Sequence, residues 1–287
     1  MRTAILIPIA VVALATGALV RVRTTLTPEE SRPTKSGRDP RTERIHTTER
    51  DAEEKIARIA KLALDAPREA EALALELEGR ERDEALAVLS AELARADADH
   101  ALKVASLIEE PQARGNSLGF VLAQLAGTDV ESVFTWLAQT NEGELVKASV
   151  ERMALPALAE VDPERVAHWI AAGKATPAAT ETAVVTTVQR WVQQDRSAAA
   201  RWVASFEDER LLHNGMEALV SGWTKQARDE PSPWIKGLPE GKAKDQACAA
   251  YAAALAPMQP EGASLWAGQI KDPVLAAQTA QRIGAAR

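Results

Sequence analysis

Residues 115–119 read Gly-Asn-Ser-Leu-Gly and match the G-x-S-x-G pattern of a hydrolase nucleophile elbow, with Ser117 in the nucleophile position. The elbow works by placing the serine on a tight turn between a strand and a helix. Pro111 and Arg114 precede the pattern, which falls at the start of a helix in the repeat described below, so no strand is available. We therefore predict a helix contact at Ser117 and no catalytic role.

Residues 237–242 resemble a phosphate-binding loop, which needs a lysine and a hydroxyl after two spaced glycines. Only three residues separate Gly237 from Gly241, where the loop needs four, and Ala243 stands where the magnesium-binding hydroxyl is required. The segment is therefore interpreted as a turn, and no cofactor is predicted.

Histidines and cysteine give no metal-binding pattern. The histidines, at 46, 100, 168 and 213, are far apart and have no partner at a ligand spacing, so only a site assembled from distant segments stays open. The single cysteine, Cys248, has no Cys or His neighbour and is predicted to be a small core side chain. Acid pairs such as Glu109 and Glu110, or Asp229 and Glu230, fall in predicted turns, where helix starting explains them. No catalytic, cofactor or metal residue is predicted.

Seven tryptophans are the most regular feature of the chain. Five are predicted to fill seams between helical hairpins: Trp136, Trp169, Trp202, Trp234 and Trp266. Trp191 follows Trp169 by 22 residues, and Trp223 follows Trp202 by 21. A second interpretation stays open, in which some tryptophans line a binding surface or stack on a glycan.

The charge distribution bears on the choice of partner. The net charge is −7, but residues 1–50 hold nine Lys or Arg against five Asp or Glu, so the remainder carries −11. An acidic body repels phosphate backbones, and nucleic acid is therefore excluded as a partner.

An apolar segment near the N-terminus predicts export. Residues 4–20 carry no charge, and Arg21 and Arg23 follow. Seventeen apolar residues are short for a spanning helix and long for a signal-peptide core, so two interpretations of residues 1–23 stay open. One is a membrane anchor with a translocated, periplasmic body and membrane contact through residues 4–20 only. The other is a signal peptide cleaved after Ala15, which gives a secreted protein.

Residues 24–48 are predicted to be a disordered linker. The segment is polar, contains three prolines and shows no apolar periodicity. A helix is predicted to start at Thr48, where a hydroxyl is followed three residues later by Asp51, and to run to about Leu64. The remaining residues, 49–287, are predicted to be one helical repeat domain.

The repeat itself is marked by a bulky residue at a nearly fixed interval. Separations of 31 to 33 residues join the markers Leu73, Val104, Trp136, Trp169, Trp202, Trp234 and Trp266. A period of this length is typical of stacked helical hairpins. The motif is clearest at residues 161–169, where Asp162 and Pro163 suit the start of a helix and Trp169 follows six residues later.

High alanine content and the scarcity of strand-favouring residues agree with this interpretation. The predicted fold is all-α, a right-handed α-solenoid of about seven antiparallel helical hairpins with a period of 31–33 residues. Thr182 to Val188 is the only strand-favouring run, but it lies in phase with a second helix and is assigned to it. Pro156 lies inside another second helix and is predicted to kink or split it.

The unit resembles the tetratricopeptide class of helical-hairpin repeat. Pro163 and Trp169, and again Pro260 and Trp266, reproduce that family's proline-to-tryptophan spacing, and Gly173 falls where the family places a small residue. The period here is shorter than 34, the family's tyrosine is absent, and most units lack the proline. The chain is also similar to exported bacterial envelope proteins built from short Asp-Pro…Trp hairpins. The resemblance implies a surface for protein binding or assembly and implies no reaction.

The expected function is therefore a non-catalytic exported or membrane-tethered scaffold that binds a protein partner. The partner-binding residues stay unassigned, and a homo-oligomer is compatible with the sequence. Two alternatives stay open. One is an envelope carbohydrate-active enzyme or glycan-binding protein on a helical toroid, against which a single Tyr251 and three Phe argue. The other is a structural, self-assembling spacer.

Overall fold

The computed structural model describes residues 40–285, with side chains from Arg50 onward. These residues form 15 α-helices and no strand, which confirms the predicted all-α class. The apolar segment at residues 1–23 and residues 24–39 of the linker lie outside the described part of the chain. Within that part, no helix combines the length and the apolar character needed to cross a membrane.

Short and long helices alternate after the first helix, α1 (Pro40–Leu62). The short helices are α2 (Pro67–Leu75), α4 (Ala98–Ser106), α6 (Val130–Gln139), α8 (Pro163–Ala171), α10 (Arg196–Ala204), α12 (Pro231–Gly237) and α14 (Pro260–Ala267). The long helices are α3 (Gly79–Leu93), α5 (Pro111–Ala126), α7 (Glu144–Val161), α9 (Pro177–Gln194), α11 (Glu209–Gln226), α13 (Lys242–Leu255) and α15 (Pro273–Ala285). Seven short-long pairs follow α1 within the described residues, as the period predicts, and each marker residue lies in a short helix. The predicted right-handed superhelical path stays a prediction.

Aspartate side chains start four successive short helices. Asp97, Asp129, Asp162 and Asp195 each accept a hydrogen bond from the backbone N–H three residues later. The cap satisfies one of the amides that an α-helix leaves free at its N-terminus. Hydrogen bonds from the side chain and backbone of Ser132 also lower the pKa of Asp129. The helix start predicted at Asp162 is therefore confirmed, and the same cap recurs in three neighbouring short helices.

The chain divides into two compact units, residues 1–121 and 122–287, and the boundary falls within α5. In the first unit α1 packs against α2 and α3, and α3 packs against α2 and α4. Its core contains fully buried side chains from each of these four helices and the turn after them, including Ile59, Ala70, Leu86, Val104 and Ile108.

In the second unit the long helices pack side by side in chain order: α7 against α9, α9 against α11, α11 against α13, and α13 against α15. Short helices pack against the long helices on either side of them, as α10 does with α9 and α11. Leu155, Leu158, Met216 and Leu219 are fully buried in this arrangement. Each seam between long helices therefore brings together residues about one period apart in sequence.

Helix α1 begins at Pro40, eight residues before the predicted start at Thr48. Residues 40–48 of the predicted linker are therefore helical. No glycine or further proline lies between Pro40 and Leu62, and proline is well suited to the first turn of a helix. The hydroxyl at Thr48 resembled a cap, but the chain contains no breaker there.

Helix α7 runs through Pro156 for 18 residues, so the helix is not split there, and the predicted kink stays a prediction. Proline inside a helix costs about 3 kcal/mol. Leu155 and Leu158 on either side are completely buried, and burial of one such side chain contributes about 1.5–3 kcal/mol. Packing of the flanking leucines therefore outweighs the local preference. The strand-favouring run from Thr182 to Val188 lies in α9, as predicted.

Candidate functional site

The two loop motifs of the sequence have no active-site geometry. Ser117 lies inside α5, within continuous helix and without the strand that a nucleophile elbow requires. Gly237 ends α12, and Gly241 precedes α13 with φ of 145°, a backbone conformation that glycine adopts easily. The helical position of Ser117 and the turn between α12 and α13 agree with the sequence analysis.

Two histidines take part in contacts that the sequence did not predict. The Nε2 atom of His100 lies 2.9 Å from Oε2 of Glu71, which joins α4 to α2. The Nδ1 atom of His213 lies 2.9 Å from Oε1 of Gln246, which joins α11 to α13. His213 also lies 3.7 Å from Glu217, four residues along the same helix. Among the described residues, no group of three His, Cys, Asp or Glu side chains is placed to hold a metal ion.

Six of the seven tryptophans, all except Trp136, form aromatic pairs across the seams between hairpins. The ring of Trp191 in α9 lies 5.8 Å from that of Trp202 in α10, and Trp223 lies 5.7 Å from Trp234. Trp266 takes Tyr251 as its partner at 5.0 Å. Aromatic pairs at such separations contribute about 0.5–1.5 kcal/mol beyond the area they bury.

Burial of the marker tryptophans is uneven. Trp169 and Trp266 are buried, which confirms the core interpretation for them, whereas Trp136, Trp202 and Trp234 are half-buried. Trp191 and Trp223, on the long helices, are buried as well. None of the tryptophans lines either of the two grooves described below.

Three long helices each carry a buried carboxylate that binds the residues just before the next long helix. Asp83 in α3 accepts from the backbone N–H groups of Glu109 and Glu110, each at 2.9 Å. Asp245 in α13 accepts in the same way from Lys271 and Asp272, at 2.9 and 3.0 Å. The two aspartates lie about five periods apart in sequence, so one arrangement is used twice.

Glu151 in α7 is the third of these carboxylates. Its Oε2 atom accepts from the backbone N–H of Thr176 at 2.7 Å and from the Thr176 hydroxyl at 2.6 Å. The side chain is only 4% exposed. Burial raises the pKa of Glu151, and the two hydrogen bonds from Thr176 oppose that shift. The carboxylate thus fixes the residue that precedes α9.

Polar contacts between residues one period apart follow the exposed edges of the long helices. Asn214 of α11 donates to Glu181 of α9 at 2.5 Å across a sequence separation of 33. His213 and Gln246 are separated by the same 33 residues, and so are Glu209 and Lys242, which form an ion pair. The long helices therefore run in register, with equivalent positions at the same level.

The larger groove lies between α9 and α11 and has a volume of about 600 Å³. We call it the α9–α11 groove. Its polar lining comes from Gln189, Arg190, Gln193, Asn214, Glu217, Ser221, Lys225 and Gln226, and its apolar lining from Val185, Val192, Ala218 and Gly222. A volume of this size lies within the range of ligand sites in proteins, about 300–1,000 Å³.

A smaller groove of about 140 Å³ lies beside it along α11, α13 and α15. Its polar lining comes from His213, Glu217, Gln246, Gln278, Thr279 and Arg282, and its apolar lining from Ala249, Ala250 and Leu275. Arg282 donates to the carboxylate of Glu217. The charged groups of this groove are therefore largely occupied by one another.

The sequence contained a signal for these contacts, but not the contacts themselves. A polar residue recurring one period after another, as Glu181 and Asn214 do, indicates a shared level on neighbouring long helices. Which polar pairs touch depends on helix separation and side-chain direction, and neither is readable from spacing. The partner-binding residues could not be assigned for that reason.

Comparison of the chain with protein-family models, with curated proteins and with solved structures finds no match in any of the three.

Proposed function

We propose that this protein is a non-catalytic helical-repeat scaffold of the cell envelope that binds a protein partner. The observation that carries the proposal is the row of long helices α9, α11, α13 and α15, which leaves polar grooves between neighbours. Repeat arrays use such rows of equivalent helices as extended binding surfaces. The resemblance to the tetratricopeptide class supports the same role.

The character of the groove side chains supports a protein partner in particular. Four side-chain amides, the hydroxyl of Ser221, and positive and negative side chains line the α9–α11 groove. Such groups can pair with a peptide backbone as donors and acceptors. The body of the chain carries a net charge of −11. That charge disfavours a nucleic-acid partner.

Location in the envelope rests on residues 4–20 of the sequence. We propose that these residues either anchor the protein with its body on the far side of the membrane or are removed by cleavage near Ala15. Mass measurement of the mature N-terminus separates the two forms. A start at Thr16 identifies a secreted protein, and an intact N-terminus identifies an anchored one.

Photo-crosslinking in the cells that produce the protein tests the binding function. A photoreactive phenylalanine is placed in the full chain at one of three exposed sites: Gln193 in the α9–α11 groove, Gln278 in the smaller groove, or Leu265 in α14. A binding scaffold should give a discrete protein adduct from at least one site. The absence of a protein adduct from all three sites refutes the proposal.

A further inference from the structure

The α9–α11 groove has two defined ends. At one end Asn214 donates to Glu181 at 2.5 Å, and at the other Arg196 donates to Gln226 at 2.8 Å. The stretch of α11 from Asn214 to Gln226 has a length of about 18 Å at the usual rise of an α-helix. Asn214 and Gln226 line the groove, so these two side-chain contacts lie at its two ends.

Small residues on α11 make room for the groove. Ala218, Ser221 and Gly222 lie three and four residues apart, so they share one face of the helix. A Cβ atom at Gly222 would lie 3.0 Å from Cγ1 of Val192, which means that α9 and α11 approach closely at the base of the groove. The walls above that contact belong to longer polar side chains.

Several polar groups in the groove have no partner within the described part of the chain. The side chains of Gln189, Ser221 and Lys225 make no hydrogen bond or ion pair with described residues. Gln193 donates from Nε2 to the backbone carbonyl of Gln189 and leaves its own Oε1 free to accept. These groups offer donors and acceptors along the length of the groove.

The charges of the groove are not equally available. Arg190 is paired with Glu160 at 2.6 Å, and Glu217 is paired with Arg282. Among the described residues, Lys225 is the one groove cation without an ion pair, and it is exposed. A ligand that fits the groove therefore gains most from a negative charge near Lys225.

We propose that the α9–α11 groove binds an extended peptide segment that carries a carboxylate, received by Lys225. An extended peptide rises about 3.3 Å per residue, so about five residues span the 18 Å wall. Gln189, Gln193 and Ser221 then pair with its backbone N–H and C=O groups. This inference rests on the proposed binding function and names the class of partner and the site.

A random hexapeptide library displayed on phage tests the proposal directly. The full chain, solubilised in detergent, should select peptides with Asp or Glu at one preferred position. In Lys225→Glu the cation becomes an anion, so binding of the selected peptides should weaken by about tenfold or more, and the variant should select Lys or Arg at that position. A switch from acidic to basic peptides is the result expected if residue 225 contacts the charged peptide side chain directly.

Lys61→Glu provides the matched control, because Lys61 is exposed, has no ion pair within the described residues and lies on α1. It makes the same change in net charge and should keep the wild-type selection. Ser221→Trp fills the groove and should abolish selection. Unchanged thermal unfolding of each variant shows that a lost selection does not reflect a lost fold.

Three results would overturn the inference: no acidic preference in the wild type, the same preference in Lys225→Glu, or an equal loss in Lys61→Glu. A glycan array probed with the same protein can give a fourth such result. If the protein binds a glycan and Ser221→Trp blocks that binding, the groove belongs to a glycan and not to a peptide. If any of these occurs while Gln278 or Leu265 still crosslinks a protein in cells, the binding function stands without the groove. Loss of every crosslink refutes the function itself.

Discussion

Truncation of Glu151 is the sharpest test of how the long helices are joined. Its Oε2 atom accepts from both the backbone N–H and the hydroxyl of Thr176, and both residues are buried. Glu151→Ala leaves the Thr176 N–H without an acceptor, while the hydroxyl can turn elsewhere. Glu151→Gln keeps one oxygen that can accept from both donors.

The expected loss of stability follows from these contacts. A buried donor left without an acceptor costs about 1–3 kcal/mol, and the lost buried methylene costs about 0.8 kcal/mol. Removal of a poorly hydrated charge offsets part of this. We therefore expect Glu151→Ala to lower the free energy of unfolding by about 2–3 kcal/mol, and Glu151→Gln to change it by under about 1 kcal/mol.

The pH dependence has a defined sign. Burial raises the pKa of Glu151 above its usual 4.5 in the folded state. The folded protein therefore binds a proton at a higher pH than the unfolded chain does, and folding is favoured as pH falls through that interval. The stability of the wild type relative to Glu151→Gln should thus rise as pH falls from neutral towards 4.5.

Denaturant unfolding, followed by circular dichroism at several pH values, measures both effects, and hydrogen exchange at the Thr176 amide reports the local one. Glu207→Ala is the control, because Glu207 is exposed and has no partner within the described residues. The reasoning is refuted if Glu151→Ala is no more destabilising than Glu207→Ala. If the free energy of unfolding of the wild type falls relative to that of Glu151→Gln as the pH is lowered, the predicted direction of the pH dependence is wrong.

Three further predictions concern single residues. Asp162→Ala removes the cap of α8, which should lower the free energy of unfolding by about 1 kcal/mol, while Asp162→Asn should keep most of it. Gly215→Leu should cost about 1–3 kcal/mol by overpacking, because even a Cβ atom there would lie 3.1 Å from Phe206; a neutral effect in thermal unfolding contradicts the packing. Burial raises the pKa of Cys248 to about 11, so a thiol reagent at pH 8 should label it only after unfolding, and rapid labelling of the native protein opposes this.

Local signals in the sequence were sufficient to predict where most short helices lie. Asp97, Asp129, Asp162 and Asp195 cap helices through a contact three residues away, and such a contact depends on almost nothing outside its own turn. The predicted start of α1 at Thr48 was wrong. Thr48 resembles a cap, but no glycine or proline interrupts the helix there, and α1 begins at Pro40. At Pro156, packing across the seam outweighed a local preference.

The sequence by itself determined the all-α class, the period and the place of each hairpin, because helix starts and apolar spacing are short-range properties of the chain. Tertiary structure alone decided that Glu151 accepts from Thr176, that Trp191 pairs with Trp202, and that α9 and α11 leave a groove beside Lys225. The first two contacts join residues 25 and 11 positions apart in sequence. Their geometry depends on the distance between packed helices. Small residues such as Gly222 allow a close approach, but which residue they approach is decided only when the helices pack.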